Sequence, residues 1–503
     1  MQTKNTNHRK PERDKGSESY RGERERKKKM VKVKVLSRVT TDHTREIEGE
    51  KMRMNRNANP ALHPFERERE YVRALNATKL DKVFAKPFVG ALSGHYDRVN
   101  CFAKHPTSLS TIVSGDTSGE IRSWSLSSQT CTGVIQAHDS FVTGVTFCSP
   151  TRLLTSSQDN TVKEWEYPFS ALPTASDDYD MEGERGSNVG GAGSHTPVAT
   201  YLGKSPVNSV DAQHYTKSTL FATACGSNVS IWDRTHYTGA SGTSEPVREF
   251  EWGTETVHYV RFNPIEPHIL AASAGDRSIA LYDVRQATPL HKVILKMKTN
   301  CISWNPIEAY HFVTANDDCR LYSFDMRKLR SAMYVHEGHT GAALSVDYAP
   351  TGREFVSGSF DNTLRIWEFD SMRSRDVYHT KRMQHILCVA YSDDARYVLS
   401  GSDDANVRIW KARASEPIKI LSKREKEKLE YGDKLKQRFA EAPEIRRIAN
   451  YHRVPRAVLI GHKKEAFAKQ LQYNKMQNMI KHSKKGTVKV VPVKRKPIVT
   501  EQN

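Results

Sequence analysis

The thirty residues at 338–367, GHTGAALSVDYAPTGREFVSGSFDNTLRIW, contain one complete structural repeat of the chain. The stretch opens with Gly338-His339, continues through two segments of alternating apolar residues, and turns at Asp361 before a last apolar segment, Leu364–Trp367. Alternation with a period of two places the apolar side chains of each segment on one face of a strand. The pattern therefore predicts an antiparallel sheet with a tight, Asp-containing turn before its third strand.

The aromatic residue that ends this repeat recurs through the chain. Seven segments end in such a residue: Trp124, Trp165, Trp232, Tyr282, Phe324, Trp367 and Trp410. Successive aromatics lie 41, 67, 50, 42, 43 and 43 residues apart. A period of about 40–45 residues with a terminal Trp is the signature of a WD-repeat β-propeller. We expect an all-β, seven-bladed WD-repeat propeller over 88–421, with an N-terminal extension and an α-helical, basic C-terminal extension.

Histidine and aspartate also recur at blade spacing. Two blades have the full set with the aromatic: His138, Asp159 and Trp165, and His339, Asp361 and Trp367. Blade seven retains Asp404 and Trp410, whereas Ser118 occupies the Asp position of blade one. A carboxylate at this turn can accept backbone N–H bonds and hold the His of the preceding loop. Because the sets repeat, we interpret them as structural and not as an active site.

Two segments compete to close the ring. The strand Phe88–Leu92 precedes the first Gly-His and could serve as the outer strand of blade seven, which would leave no open sheet edge. The segment Pro417–Leu421 follows the last blade and could fill the same place. The sequence favours neither segment decisively.

The residue patterns argue against several function classes. The seven cysteines form no C-x-x-C pair, and we find no phosphate-cradling Gly-rich loop, nucleophile elbow or metal-ligand spacing. There is no apolar run of about eighteen residues and no apolar leader at the N-terminus. We expect a non-enzymatic protein with no catalytic residues, no metal, no cofactor and no membrane contact.

The net charge of +19 is unevenly distributed. Residues 94–410 contain 28 Lys and Arg against 36 Asp and Glu, a net charge of −8, whereas 411–503 contain 25 against nine, a net charge of +16. A basic tail on an acidic ring predicts that the tail contacts nucleic acid and the ring contacts proteins. A solvated, charged tail without a ligand is the alternative.

Composition and capping signals divide the rest of the chain. Ser422 with Glu425 forms a capping box, and Pro443 suits the first turn of a second helix. The expected segments are a charged disordered extension (1–29), an N-terminal extension (30–87) with a helix at 64–84, a disordered insertion (167–199), a helical C-terminal domain (422–480) and a basic flexible tail (481–503). The tail contains two basic clusters, Lys484-Lys485 and Lys494-Arg495-Lys496, fit for RNA contacts or nuclear import.

Several stretches resemble the suppressor-of-fibrillarin family of nucleolar WD-repeat proteins. They are Arg56–Arg67, Leu75–Leu80, Phe84–Phe88, Tyr378–His385 and the Ser422–Glu425 entry into the tail. The resemblance covers residues 30–503. It starts at Met30, and two explanations for the unmatched 1–29 are an alternative start and a lineage-specific extension.

The resemblance implies a role in ribosome assembly. Members of the family are components of the small-subunit processome, which processes the precursor of small-subunit (18S) ribosomal RNA together with a box C/D small nucleolar RNP. The implied partners are processome proteins, this RNP and pre-rRNA, and the implied location is the nucleolus. On this interpretation the chain is a scaffold that binds proteins through its propeller and RNA through its basic extensions.

A second pair of motifs points to a different partner. Tyr282-Asp283-Val284-Arg285 ends blade four, and Phe324-Asp325-Met326-Arg327 ends blade five. Both resemble the W-D-x-R element by which WD-repeat substrate receptors dock on the adaptor of cullin-4-type ubiquitin ligases, although both have lost the Trp. The resemblance implies adaptor docking by Asp283, Arg285, Asp325 and Arg327. The alternative is that each Arg only pairs with its neighbouring Asp or with a carboxylate at the blade edge. A substrate receptor and a processome scaffold can coexist in one protein.

Overall fold

A computed structural model describes residues 65–169, 196–213, 218–236, 245–252, 255–484, 487–488 and 490–502. The expectations for 1–64, for Lys485 and for residues 170–195 of the insertion predicted at 167–199 fall outside the described residues. At its two ends the predicted disorder is wrong, because Phe169 packs in the core of blades one and two and Ala199 begins the outer strand of blade two. The chain separates into two compact units. One unit comprises Met1–Ala85 with Pro417–Tyr451, and the other comprises Lys86–Glu416 with His452–Asn503.

The second unit contains the predicted seven-bladed β-propeller, in which each blade is an antiparallel sheet. The strands of blades one to three are β2 (Val99–Lys104), β3 (Thr111–Asp116), β4 (Glu120–Ser125), β5 (Thr130–Gln136), β6 (Val142–Ser149), β7 (Arg152–Ser157), β8 (Thr161–Glu166), β9 (Ala199–Leu202), β10 (Val207–Ala212), β11 (Leu220–Cys225), β12 (Asn228–Asp233) and β13 (Arg248–Glu251).

The remaining blades follow the same order from the innermost strand outward. The strands of blades four to six are β14 (Val257–Phe262), β15 (Ile269–Ala274), β16 (Ser278–Asp283), β17 (His291–Leu295), β18 (Thr299–Trp304), β19 (His311–Asn316), β20 (Arg320–Asp325), β21 (Tyr334–Glu337), β22 (Ala343–Tyr348), β23 (Glu354–Ser359), β24 (Leu364–Glu368) and β25 (Asp376–Tyr378). Blade seven contains β26 (Ile386–Tyr391), β27 (Tyr397–Ser402) and β28 (Asn406–Lys411).

The ring is closed by the strand that precedes blade one. This strand, β1 (Phe88–Ser93), pairs antiparallel with β28, with Leu92 opposite Val407 and Ser93 opposite Asn406. The competing segment 417–421 forms no strand. Pairing with β1 covers the edge of β28 and ties the chain just before blade one to blade seven, which joins the two ends of the ring.

The seven recurring aromatics form the cores of the blades and are almost fully buried. In the five blades that retain Trp, its indole N–H donates to a buried Ser or Thr hydroxyl on the second strand, as from Trp367 to Ser357 at 2.8 Å and from Trp124 to Ser114 at 2.7 Å. This bond satisfies the only polar atom of the indole while the ring contributes buried apolar area. Tyr282 and Phe324 keep the apolar part of that role.

The first unit contains three described helices, α1 (Glu66–Val83), α2 (Lys423–Arg438) and α3 (Pro443–Ala449). Ser422 and Glu425 form the predicted capping box at the start of α2. Ala74 of α1 packs with Leu435 and Phe439 from the C-terminal side of the chain. This arrangement differs from the single helical domain expected at 422–480, because α2 and α3 use the N-terminal helix to cover their apolar residues.

The segment His452–Asn503 belongs to the propeller unit. They form α4 (Arg456–His482) and then β29 (Ile498–Gln502), which pairs antiparallel with β17 and makes blade four a five-stranded sheet. The flexible tail expected at 481–503 is therefore wrong for its last residues. The β-branched side chains of Ile498, Val499 and Thr500 favour a strand, and Ile498 packs against the core of blades four and five.

Candidate functional site

The recurring residues of blade six form one buried chain of hydrogen bonds. His339 lies between Asp361 (Nδ1 to Oδ2, 3.1 Å) and Ser357 (Nε2 to Oγ, 2.7 Å), and Ser357 also accepts from Trp367. The second carboxylate oxygen of Asp361 accepts from the backbone N–H of Thr363 at 3.0 Å. Burial lowers the pKa of His339 and outweighs the opposing effect of Asp361, so the ring is held neutral. Because these groups are saturated with internal partners, the geometry suits structural support better than catalysis.

Blade two repeats this arrangement. His138 Nδ1 lies 2.8 Å from Asp159 Oδ2, and its Nε2 lies 2.8 Å from the hydroxyl of Thr155, which also accepts from Trp165 at 3.0 Å. The Asp159 carboxylate accepts from the N–H of Thr161 at 2.9 Å. Burial alone would raise the pKa of Asp159, but its bonds to Thr161 and His138 lower it, so the carboxylate stays ionised.

Blade one contains a third complete set that the sequence analysis missed. Asp116, two residues before Ser118, accepts from the backbone N–H groups of Ser118 (2.9 Å) and Glu120 (3.0 Å). Its other oxygen lies 3.2 Å from His95, whose second nitrogen is 2.6 Å from Ser114. The expectation that Ser118 leaves blade one without its Asp is wrong, because a carboxylate two residues earlier reaches the same turn. His95 and Asp116 are 21 residues apart, the separation of His138 and Asp159, which was a readable signal.

The blades without the opening His keep the Asp but change its partner. Asp276 of blade four forms an ion pair with Lys292 at 2.9 Å and accepts from the N–H of Ser278 at 3.0 Å. Asp318 of blade five accepts from the phenol of Tyr322 and from the N–H of Arg320. Asp404 of blade seven is held by both terminal nitrogens of Arg408. The turn thus needs the carboxylate in each of these blades, whereas the His is replaceable.

The rim of blade four carries an exposed arginine fork. Arg285 donates from Nε to Asp283 Oδ1 (3.1 Å) and from Nη2 to Asp283 Oδ2 (2.9 Å), and its backbone N–H donates to Oδ1 at 2.9 Å. The side chain of Arg285 is 66% exposed, whereas that of Asp283 is 8% exposed. The bond to Arg285 lowers the pKa of Asp283. The carboxylate therefore fixes the orientation of a guanidinium whose outer side faces solvent.

Blade five repeats the fork at the same position. Arg327 donates to the two oxygens of Asp325 at 3.1 and 3.0 Å, and its backbone N–H donates at 3.0 Å. Its side chain is 58% exposed, and the guanidinium lies 4.2 Å from the centre of the Tyr310 ring. Asp283 and Asp325 end the third strands of consecutive blades. The two forks therefore lie on the same rim of the propeller and have the same local geometry.

Blade three shows what happens when the arginine comes one residue earlier. Arg234 follows Asp233 directly and turns toward blade two, where its Nη2 donates to Glu164 at 2.6 Å. The side chain of Arg234 is only 18% exposed. Thr235 takes over the bonds to the Asp233 carboxylate. Arg234 thus joins two neighbouring blades and presents little surface to a partner.

The C-terminal basic cluster is held against the propeller. The carbonyl of Lys494 accepts from the N–H of Ala332 at 3.0 Å, and its ammonium group lies 5.1 Å from the centre of the Tyr334 ring. Lys494, Arg495 and Lys496 are all exposed, as is Lys484 in the other cluster. The bond from Ala332 anchors the backbone of this cluster to blade five, while its three cationic side chains stay exposed.

The described ranges contain neither a candidate metal site nor a candidate membrane-spanning helix. There, no group of three or more His, Cys, Asp or Glu side chains is arranged to hold a metal ion. No helix among the same residues is long and apolar enough to cross a membrane.

Two family models match separate parts of the chain. The repeat model described as WD domain, G-beta repeat matches residues 86–125, 129–166, 330–368 and 377–411, which include the third strands of blades one, two, six and seven. A model described as Sof1-like domain matches residues 412–498. Among solved structures, the WD40 β-propeller domain of Doa1 is similar with a TM-score of 0.51 and 18% identity, over 65% of this chain and 96% of that one. This likeness shows the fold alone.

Several relatives are similar to this chain over nearly its whole length. The protein named DDB1- and CUL4-associated factor 13 is 46% identical in Xenopus laevis and in Homo sapiens, in each case over 93% of this chain and 99% of the relative. The Dictyostelium discoideum protein of that name is 42% identical over 90% of this chain and 95% of the relative. The resemblance predicted from the sequence motifs is confirmed. The chain belongs to the Sof1 family of WD-repeat proteins, which includes DDB1- and CUL4-associated factor 13.

Proposed function

We propose that the chain is a non-catalytic scaffold whose blades four and five dock on the adaptor of a cullin-4-type ubiquitin ligase, as a substrate receptor does. The observation that carries this proposal is the pair of equal arginine forks, Asp283 with Arg285 and Asp325 with Arg327, exposed on one rim. The relatives' name associates those proteins with DDB1 and CUL4, which supports the same partner for this chain.

The forks are suited to docking because their orientation is fixed before binding. Each Asp engages Nε and Nη2 of its Arg, so the guanidinium loses little conformational freedom when a partner binds. The remaining terminal nitrogen, Nη1, can donate to a carbonyl or carboxylate of the adaptor. The lost Trp does not weaken this rim, because Tyr282 and Phe324 are buried in the blade cores.

The adaptor proposal is tested by replacing both arginines. The double variant Arg285→Ala/Arg327→Ala should fold normally and recover at least tenfold less adaptor in pulldowns, whereas Lys at both positions should restore the charge but rescue poorly because it lacks the fork. The control is Arg373→Ala/Arg382→Ala, which removes two exposed arginines elsewhere on the ring. Adaptor recovery at the wild-type level in the first variant would refute docking by the forks.

We also propose a role in the small-subunit processome, favoured by a different observation. The C-terminal region has a net charge of +16 beside a ring of −8, and the Lys494–Lys496 cluster is exposed on an anchored backbone. The Sof1-like match at 412–498 covers the same region. We propose that this region binds pre-rRNA and the box C/D small nucleolar RNP through phosphate contacts, while the propeller binds processome proteins in the nucleolus.

The RNA proposal predicts a change in salt dependence. Because β29 is part of blade four, deletion of the tail would disturb the fold, so charge removal is the cleaner test. Replacing Lys494, Arg495 and Lys496 by Gln should weaken binding to pre-rRNA and reduce the slope of log K against log salt by roughly two, at about 0.7 per phosphate contact. A matched variant replaces Arg373, Lys381 and Arg382, which are exposed on the ring, by Gln and should leave the slope unchanged. An unchanged slope in the tail variant would place the RNA site elsewhere.

A further inference from the structure

The long helix α4 contacts the propeller along one face. His462 lies 3.2 Å from Nη2 of Arg365 in blade six, and Lys469 forms an ion pair with Glu337 in blade five at 2.7 Å. Val458 is buried, and Met476 near the other end is half-buried. At about 100° per residue these four positions fall on one side of the helix. The opposite side of α4 therefore points away from the propeller.

The outward face carries an apolar stripe that is exposed among the described residues. Ile460, Phe467 and Leu471 lie opposite the docked face and are 46%, 67% and 53% exposed. Their separations of seven and four residues are those of the apolar seam of a helix that packs against another helix. Three large apolar side chains in a row on one exposed helix face mark an interaction surface.

The charges around the stripe have one sign. Lys463, Lys464 and Lys475 are exposed beside it. Glu465 is the only acidic residue of α4, and it is paired with Lys469 at 2.9 Å. An apolar seam flanked by lysines complements a helix with an apolar seam flanked by carboxylates.

We propose that this outward face of α4 binds an acidic amphipathic helix of a partner protein. A second copy of the chain would bring the same lysines against each other, which disfavours self-association. RNA would use the lysines but gains little from Ile460 and Leu471, since bases stack on aromatic side chains. This surface is separate from the arginine forks and from the Lys494–Lys496 cluster, so it goes beyond the two proposed functions.

The seam also limits the length of the bound helix. Ile460 to Leu471 spans eleven residues, or roughly 16 Å of helix axis, which three turns of a partner helix cover. Lys464 lies on the same face between Ile460 and Phe467. A glutamate of the partner placed opposite Lys464 would fix the register of the two helices.

The proposal is tested with the full-length protein and a synthetic probe. The probe is a 21-residue helical peptide with Leu at the a and d positions and Glu at the e and g positions, and its binding is followed by fluorescence anisotropy. We expect saturable binding that weakens with salt, and a loss of at least tenfold in the variant Phe467→Asp/Leu471→Asp. Since both side chains are exposed, circular dichroism and thermal unfolding of the variant should match the wild type.

A matched variant separates the apolar stripe from general charge repulsion. Ala466→Asp/Gln470→Asp adds the same two charges to exposed positions about a quarter-turn away and should change affinity less than threefold. Equal losses in both variants, or equal binding of a peptide with Lys in place of Glu, would overturn the proposal. Loss of polyuridine binding in the stripe variant would reassign the face to RNA, and concentration-dependent dimers in sedimentation would reassign it to a second copy.

Discussion

Blade six differs from blades four and five in the side chains that hold the carboxylate of the turn before the third strand. In blade six the turn carboxylate Asp361 is held by His339, which links it to Ser357 and Trp367. In blades four and five the carboxylate is held by Lys292 or Tyr322 of the same blade, and the Trp is lost. In these three blades the constant part is the Asp that accepts a backbone N–H of the turn, whereas the residues that hold it differ.

The two kinds of blade also differ in what they expose. Blade six ends Trp367-Glu368-Phe369-Asp370 and presents no arginine fork, whereas blades four and five each end in one. The blades with the weaker repeat pattern are therefore the ones with the distinctive rim. A degenerate repeat thus says little about stability and can mark the surface that carries function.

The largest expected effect comes from breaking the network of blade six. Asp361→Ala removes the acceptor for His339 and for the N–H and hydroxyl groups of Thr363, which are buried. We expect the free energy of unfolding to fall by about 3 kcal/mol. Chemical denaturation of the purified protein measures this loss. Asp370→Ala, at an exposed carboxylate of the same blade, should change it by less than about 0.5 kcal/mol, and equal effects would contradict the structural role of Asp361.

The next effect is a pH dependence from blade five. His336 is fully buried, with Nε2 2.8 Å from Ser323 Oγ and Nδ1 2.6 Å from the Ser371 carbonyl. Burial lowers its pKa from the ordinary 6.5 to about 4. Because the unfolded chain takes up the proton near pH 6.5 and the folded chain only near pH 4, stability is lost as the pH falls below 6.5. The loss between pH 8 and pH 5 is about 2 kcal/mol.

Replacing His336 tests how much of the pH dependence of the unfolding free energy comes from this histidine. His336→Asn cannot titrate, so its unfolding free energy should fall less steeply between pH 8 and pH 5 than that of the wild type, whatever its absolute stability. Urea titrations at several pH values give both profiles. Parallel profiles for wild type and His336→Asn would show that another group controls this range.

The smallest effect concerns the residue after the turn Asp. This position has a positive φ in blade six, where Asn362 occupies it (φ 60°), and in blade seven, where Ala405 occupies it (φ 59°). Glycine relieves the left-handed strain of Ala, while Asn already tolerates it. Ala405→Gly should therefore raise the unfolding free energy by about 0.5 kcal/mol. Asn362→Gly should leave it level or lower it, and a larger gain from Asn362→Gly than from Ala405→Gly would refute the strain argument.

The repeated features of the fold could be predicted from the sequence. The spacing of the seven aromatics predicted the propeller, and the capping box of Ser422 and Glu425 predicted the start of α2. The His-Asp set of blade one escaped notice because its Asp116 lies two residues from the expected position, although the distance to His95 was a usable signal. Periodicity identifies a position in a repeat, but a side chain can reach the same turn from a neighbouring position.

The features that depend on long-range pairing could not be predicted. Ile498–Gln502 looked like part of a flexible basic tail, and only the open edge of blade four, two hundred residues earlier, makes it a strand. The division of 422–480 between two units has the same cause, because the apolar residues of α2 and α3 are covered by a helix from the other end of the chain. The fork geometry of Arg285 and Arg327 was one of two alternatives, and the structure shows that pairing with Asp and exposure coexist.

Arg234 is a control for the two exposed rim arginines, Arg285 and Arg327. It lies one residue from the fork position, but it forms an ion pair with the buried Glu164 of the neighbouring blade and is mostly covered. Removing it leaves a carboxylate in a buried site, with Arg152 at 3.8 Å as the remaining cation. We expect Arg234→Ala to lower the unfolding free energy by about 2 kcal/mol.

The central claim is that the arginines of blades four and five serve docking, whereas the arginine of blade three serves the fold. The direct test measures both the unfolding free energy and the dissociation constant for the purified ligase adaptor, in Arg234→Ala and in Arg285→Ala/Arg327→Ala. We predict that the first variant loses stability and keeps its affinity, while the second keeps its stability and loses at least tenfold in affinity. Unchanged affinity in the second variant, or a loss of stability as large as that of the first, would contradict the claim.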